Sequence, residues 1–271
     1  MCFDTISYLL GKKKGGGGGS GGLDWSAIGY ESTPQSVIDD YNYSKNIYDN
    51  WENVADLTNK FKNNTTIVYV PLIDTSNATN MQGMFNGCSS LKDVPALNTI
   101  KVNNTNTMFN NCTRLKNISL FDTSNVTSMQ QMFSSCSNLI NVPLFNTSKV
   151  SQMFSMFTNC TSIKSIPQFD TSSAISFQNM FNNCANLEDV PQFDTSSLNS
   201  SNGFGGMFSS CPKLTDTSLN NILKMCIGAT SYPGTKTLAR LGFVSSDYPA
   251  SRIQALPSYQ DFIDAGWTIG Y

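Results

Sequence analysis

Apolar and polar positions repeat in one fixed order along most of the chain. Met-Phe-x-x-Cys recurs at Met84, Met108, Met132, Met156, Met180 and Met207, four times at an interval of 24 residues and then once at 27. The full unit reads Pro-x-Phe-Asp-Thr-Ser-x-Val-x-x-Met-x-x-Met-Phe-x-x-Cys-x-x-Leu-x-x-Val. It is clearest at Pro71–Val94, Ser119–Val142, Pro143–Ile166 and Pro167–Val190. Pro95–Ile118 is a weaker copy with Thr105 in a Met column, and the copy from Pro191 is stretched around Asn202-Gly203-Phe204-Gly205. A fixed period of this length is the signature of a stacked repeat.

Each unit carries two periodicities. Val126, Met129, Met132, Phe133 and Cys136 are spaced as one face of a helix, and the Asp122-Thr123-Ser124-Asn125 run before them offers oxygens to a helix start. After Cys136, the residues Leu139, Val142 and Phe145 lie three apart around Pro143, which a helix interior does not accept. The pattern therefore predicts one helix and one short strand per 24-residue unit. A single unit cannot bury its apolar stripe, so the units must stack as an α/β solenoid with strands about 4.8 Å apart.

Stacking turns sequence columns into spatial ladders. Ile73, Leu97, Phe121, Phe145, Phe169 and Phe193 form one, and Phe85, Phe109, Phe133, Phe157, Phe181 and Phe208 another. Each fully buried large apolar side chain contributes roughly 1.5–3 kcal/mol, so these ladders are expected to drive folding.

The flanks read differently. Residues 1–14 form a short peptide, Gly15–Gly22 a Gly/Ser linker spanning on the order of 15 Å, and residues 23–53 a helical cap opened by Thr33-Pro34. The solenoid is assigned to 54–217, where Val54, Leu57, Phe61, Ile67 and Val70 fill the apolar columns of a degenerate first unit. Residues 218–271 are assigned to a C-terminal cap, with helices over Ser218–Ile227 and Pro257–Ala265, a short element over Thr237–Phe243, and Trp267 and Ile269 closing the core.

Composition narrows the function. Asn, Ser and Thr number 30, 35 and 24, while only 13% of residues are charged, about half the usual share. The net charge of −2 and pI near 5.1 argue against a nucleic-acid partner, which favours a basic stripe. Histidine is absent, which excludes Ser-His-Asp and Cys-His nucleophilic sites and His-ligated zinc. No acid–base constellation stands out, so no enzyme activity, metal or cofactor is expected. No apolar run approaches a membrane span. The opening residues place Lys12, Lys13 and Lys14 after the apolar stretch from Ile6 to Leu10, the reverse of a secretory signal.

Three columns carry candidate chemistry. Cys88, Cys112, Cys136, Cys160, Cys184 and Cys211 read as buried free thiols, since Cys closes the apolar stripe. Asp74, Asp122, Asp170 and Asp194 alternate with Asn98 and Asn146, which favours a turn role over calcium binding. The residues after each Leu project outward, and Lys92, Asp93, Lys116, Asn117, Asn141, Lys164, Glu188 and Asp189 are the candidate binding residues.

The units Phe121-Asp-Thr-Ser-Asn-Val-Thr-Ser-Met-Gln-Gln-Met-Phe-Ser-Ser-Cys-Ser-Asn-Leu and Phe169-Asp-Thr-Ser to Met-Phe-Asn-Asn-Cys-Ala-Asn-Leu resemble the BspA-like leucine-rich-repeat surface proteins over about residues 54–217. The resemblance implies a leucine-rich-repeat solenoid without catalytic activity, among relatives that are mostly bacterial and protist surface or adhesion proteins. The leader Ile-Ser-Tyr-Leu-Leu-Gly-Lys-Lys-Lys with its polyglycine, and the terminal Ala265-Gly-Trp-Thr-Ile-Gly-Tyr271, are similar to structural proteins of gut-bacterial phages and prophages. The resemblance therefore implies a virion component. Residues 1–14 would dock to a carrier protein on the particle, and the solenoid would hold a host-surface glycan or protein. A bacterial cell-surface adhesin is the alternative.

Overall fold

The computed structural model describes residues 54–70 and 73–271. The leader peptide, the linker and the N-terminal cap assigned to 23–53 lie outside the described residues.

The units stack as parallel rungs, but no rung among the described residues contains an α-helix. The segment predicted to be helical is a run of consecutive turns. In the third unit Met132 N, Ser134 N and Cys136 N donate within the rung to Met129 O, Gln131 O and Phe133 O at 3.2, 3.2 and 3.0 Å. The alternate amides Met129, Gln131, Phe133 and Ser135 donate instead to Gln152, Phe154, Met156 and Thr158 of the next rung at 2.7–3.1 Å. An α-helix would keep all of these bonds inside the segment. The backbone departs from the helix at Gln131 and Ser135, whose φ values are 54° and 62°. Every other rung repeats this pair of left-handed residues in the same columns, as at Asn59 and Asn63, Gly83 and Gly87, and Asn179 and Asn183. Asn and Gly tolerate that region best. The inward spacing of Val126, Met129, Met132, Phe133 and Cys136 is met equally well by i→i+3 turns, which is why a helical period hides a non-helical backbone.

The predicted strand shrinks to single parallel bridges: Tyr69 with Asp93, Asn117 with Asn141, and Ser165 with Asp189. A second, longer column of parallel bridges runs Asp56, Asn80, Asn104, Ser128, Gln152, Ser176, at the start of the turn segment. The rungs are thus joined along two edges of the coil.

Three inward ladders lock the register. Phe61, Phe85, Phe109, Phe133, Phe157, Phe181 and Phe208 stack nearly face to face, with centroids 5.2–5.8 Å apart and planes within 15°. The Pro-x-Phe column does not form an equal second stack. Phe145, Phe169 and Phe193 rest against Phe133, Phe157 and Phe181 at 6.1–6.3 Å, thickening the first spine. Buried threonines tie rung to rung through Oγ1: Thr99 to Asp122 O, Thr123 to Asn146 O, Thr147 to Asp170 O and Thr171 to Asp194 O, at 2.6–2.9 Å. The third ladder is the cysteine column, described below.

The C-terminal segment terminates each ladder. Helix α1 (Asp216–Gly228) starts at Thr215, whose side chain accepts from Ser218 N, and its Met225 O receives the last threonine, Thr195, at 2.5 Å. A 3₁₀ turn at Leu238–Leu241 accepts the free amides of the last rung, Gly206 N to Arg240 O and Phe208 N to Leu241 O. Phe243 tilts over Phe208 at 6.0 Å and ends the aromatic stack. Helices α2 (Ala250–Gln254) and α3 (Tyr259–Asp264) follow. The three-residue stretch in the last unit has a packing role. It reaches the cap, with Ser201 O accepting from Tyr232 Oη at 3.1 Å and Asn202 Oδ1 from Arg240 Nη2 at 2.6 Å; just after it the fully buried Phe204 packs edge-on to Tyr232 and Trp267 at 5.1 and 5.6 Å. Among the described residues no helix is long and apolar enough to cross a membrane.

Candidate binding surfaces

The post-Leu positions emerge as two adjacent outward columns, because Leu and Val on either side of them turn inward. Lys92, Asp93, Lys116, Asn117, Asn141, Lys164 and Asp189 are exposed and Glu188 is half-buried. Backbone bonds fix their spacing, with Lys92 N donating to Val68 O, Ile140 N to Lys116 O and Glu188 N to Lys164 O, each at 2.9 Å. Neighbouring rungs also touch through side chains: Asn141 Nδ2 donates to Asn117 Oδ1 at 2.9 Å, and Lys164 Nζ lies 3.6 Å from Glu188 Oε1. The face grades from lysine-bearing rungs to an acidic last rung.

The cysteine column is fully buried and free of disulfides. Each thiol donates to the Phe carbonyl of the preceding rung, as Cys112 to Phe85 O, Cys136 to Phe109 O and Cys160 to Phe133 O, at 3.0–3.2 Å. Burial pushes Cys88 up to about 11 and Cys136 and Cys211 up to about 12. Thiols held protonated in this way are poor nucleophiles and poor metal ligands.

The acidic column closes turns. Ser76 N, Ser124 N, Ser172 N and Ser196 N donate to Asp74, Asp122, Asp170 and Asp194 Oδ1 at 2.8–3.0 Å, and Ser148 N makes the same bond to Asn146. Hydrogen bonds from the Ser124 and Ser172 side chains and amides hold Asp122 and Asp170 below the usual carboxylate range. Among the described residues no group of three or more His, Cys, Asp or Glu gathers to hold a metal ion.

A second surface is not apparent from the sequence pattern. The x of Pro-x-Phe-Asp points outward at Ala96, Leu120, Leu144, Gln168 and Gln192, and Leu120 and Leu144 are each 61% exposed. Leu144 and Gln168 sit at the tips of three-residue turns closed by Phe145 N to Pro143 O and Phe169 N to Pro167 O at 2.9 Å. Where this edge meets α1, Gln168, Asp170, Gln192, Asp194 and Lys224 line a shallow cleft of about 550 Å³. The available signal was the switch of the x column from Leu to Gln at residue 168.

These features define a class: a parallel-rung repeat solenoid that holds regular columns of exposed side chains on a fixed frame. The family described as "Mycoplasma protein of unknown function, DUF285" matches residues 35–141 and 138–225, and the chain belongs to that family of BspA-like repeats. Among solved structures, the crystal structure of a T. pallidum leucine-rich repeat protein is similar at 22% identity and a TM-score of 0.49, over 67% of this chain and 78% of that one. No curated protein matches the chain.

Proposed function

We propose that the chain is a non-enzymatic recognition module carried on a phage particle. In this reading residues 1–14 dock to a carrier protein, the glycine linker gives reach, and the solenoid holds a host-surface glycan or protein on its exposed columns. The observation that carries the recognition reading is the pair of exposed columns from Lys92-Asp93 to Glu188-Asp189, held in register by bonds between rungs. The protein would be made in the bacterial cytoplasm and assembled onto the particle, without inserting into a membrane or binding nucleic acid. Support for the phage setting is the likeness of the two chain ends to phage structural proteins.

A second reading, a bacterial cell-surface adhesin, is favoured by the family itself, whose description names a cellular organism. Mass spectrometry of purified particles separates the two. The protein should copurify with virions and be released when residues 1–14 are deleted, whereas recovery from whole cells without particles refutes the virion role. Sustained turnover of a glycan or peptide by the purified chain would refute the non-enzymatic reading.

A further inference from the structure

The edge formed by the Pro-x-Phe-Asp turns, three to four residues further along each rung than the columns just described, has the chemistry of a ligand site. At its C-terminal end Lys224 Nζ and the Gln192 amide form no hydrogen bond or ion pair with the described residues. Asp170 and Asp194 commit only Oδ1, each to the amide and hydroxyl of the serine two residues on. Gln168 uses Nε2, donating to Gln192 O at 2.8 Å, and its Oε1 is unbonded. The cleft therefore offers unused donors and acceptors side by side, while the rings beneath, Phe169 and Phe193, are buried. A hydroxyl-rich neutral ligand, whose groups both donate and accept, matches both kinds of partner.

Two features specify an extended ligand. Gln168 and Gln192, and Asp170 and Asp194, recur on adjacent rungs, whose stacked rings lie 5.2–5.8 Å apart, and successive residues of a β-1,4-linked sugar chain advance by nearly the same step. Toward the N-terminal side the same column becomes Leu144 and Leu120, both largely exposed, a shelf suited to the C–H faces of sugars rather than to their hydroxyl rims. The edge is thus amphipathic along the solenoid axis, as a glycan chain is across its ring faces and edges.

We propose that an extended β-1,4-linked glycan binds parallel to the solenoid axis along this edge, with its hydroxyls on Gln168, Asp170, Gln192, Asp194 and Lys224 and its apolar faces on Leu120 and Leu144. The proposal deepens the recognition reading and rests on it only for its biological use, since its residues are not those of the Lys92–Asp189 columns.

The test is NMR of the full chain with labelled Leu methyls and Asn/Gln side-chain amides, titrated with chitotetraose, cellotetraose and free N-acetylglucosamine. The Leu120 and Leu144 methyls and the Gln168 and Gln192 amides should shift with at least one tetrasaccharide, while Asn117 and Asn141 stay unmoved. The monosaccharide should bind more weakly. The double variant Gln168→Ala/Gln192→Ala alters two exposed side chains and removes one exposed inter-rung bond, so it should melt close to the parent and lose about tenfold in affinity, equivalent to roughly 1.4 kcal/mol. Lys116→Ala/Lys164→Ala in the post-Leu columns should bind as the parent does. Absence of shifts with either tetrasaccharide, equal affinity for the monosaccharide, or a glutamine double variant that binds normally overturns the proposal. Shifts confined to Asn117 and Asn141 overturn it while leaving the recognition reading intact.

Discussion

If ring stacking holds the rungs in line, replacing the middle ring must cost more than replacing a ring of equal size beside the stack. Phe133 is fully buried and contacts three other rings: Phe109 and Phe157 at 5.6 Å and Phe145 at 6.1 Å. Phe121 is nearly as buried but pairs with one ring, Phe145, at 5.0 Å. Truncating a core Phe to Ala costs about 3–5 kcal/mol through lost transfer energy and the residual cavity. Aromatic pairs add about 0.5–1.5 kcal/mol each beyond burial. The two additional pairs of Phe133 therefore separate Phe133→Ala from Phe121→Ala by about 1–3 kcal/mol. Urea denaturation followed by circular dichroism measures the difference, provided the slope is unchanged between variants so that the midpoint reports stability. Phe133→Leu is the companion variant, since it keeps most of the burial and loses only the rings. Equal costs for Phe133→Ala and Phe121→Ala, or a Phe133→Leu variant as stable as the parent, would refute stacking as the source of register.

The other ladders make separate predictions. Thr147→Val keeps the shape but removes the 2.8 Å bond to Asp170 O, and should cost about 1–3 kcal/mol in the same denaturation assay. Cys88, Cys112, Cys136, Cys160, Cys184, Cys211 and Cys226, buried and protonated, should resist iodoacetamide at pH 8 in the folded chain and react fully in denaturant, as peptide-level mass spectrometry, which separates them from the eighth cysteine Cys2, will show. Labelling of any of these seven under native conditions would contradict their burial. Asp122 and Asp170 titrate below their ordinary value when folded, so the stability they contribute is complete above about pH 4 and is lost as pH falls through the lowered folded values. In Asp122→Asn/Asp170→Asn the turn bond survives, as it does at Asn146, and the stability profile below pH 4 should flatten.

The rungs are legible in the sequence because a constant period decides which side chains lie over one another, whatever the local backbone does. Met132 falls over Met156 and Cys136 over Cys160 whether the segment is a helix or a run of turns. The backbone itself is hidden because both conformations send residues inward at every third or fourth position. The clue lay in polar positions: Ser135, Asn159 and Asn183 precede the cysteines, and Gly83, Asn179 and Gly206 lie four residues earlier. Residues that accept a positive φ, recurring at these two columns in most units although Thr107, Gln131 and Ser155 interrupt the earlier one, belong to turns rather than a helix. The post-Leu columns were readable as exposed because Leu and Val bracket them. The Pro-x-Phe edge was not, since Leu120 and Leu144 look like core residues until the structure shows both largely exposed.

The unusual composition follows from how the rungs are joined. Beyond the core, neighbouring rungs are linked mainly by neutral groups: Asn125 Nδ2 to Ile100 O, Asn138 Nδ2 to Thr113 O, Asn186 Nδ2 to Thr161 O, and Ser173 and Ser197 Oγ to Ser148 O and Ser172 O. Each such bond reaches a backbone carbonyl, which is present whatever side chain the lower rung carries. An exposed position can therefore change identity without removing its neighbour's partner, as the x column does in passing from Leu144 to Gln168 while Phe145 and Phe169 stay buried. Salt bridges would not allow this, because each charge fixes the identity of its partner. Along the Pro-x-Phe edge, a stack joined through amides and hydroxyls to backbone carbonyls thus separates what holds the chain together from what its surface displays; the post-Leu face is tied differently, side chain to side chain, at Asn117–Asn141 and Lys164–Glu188.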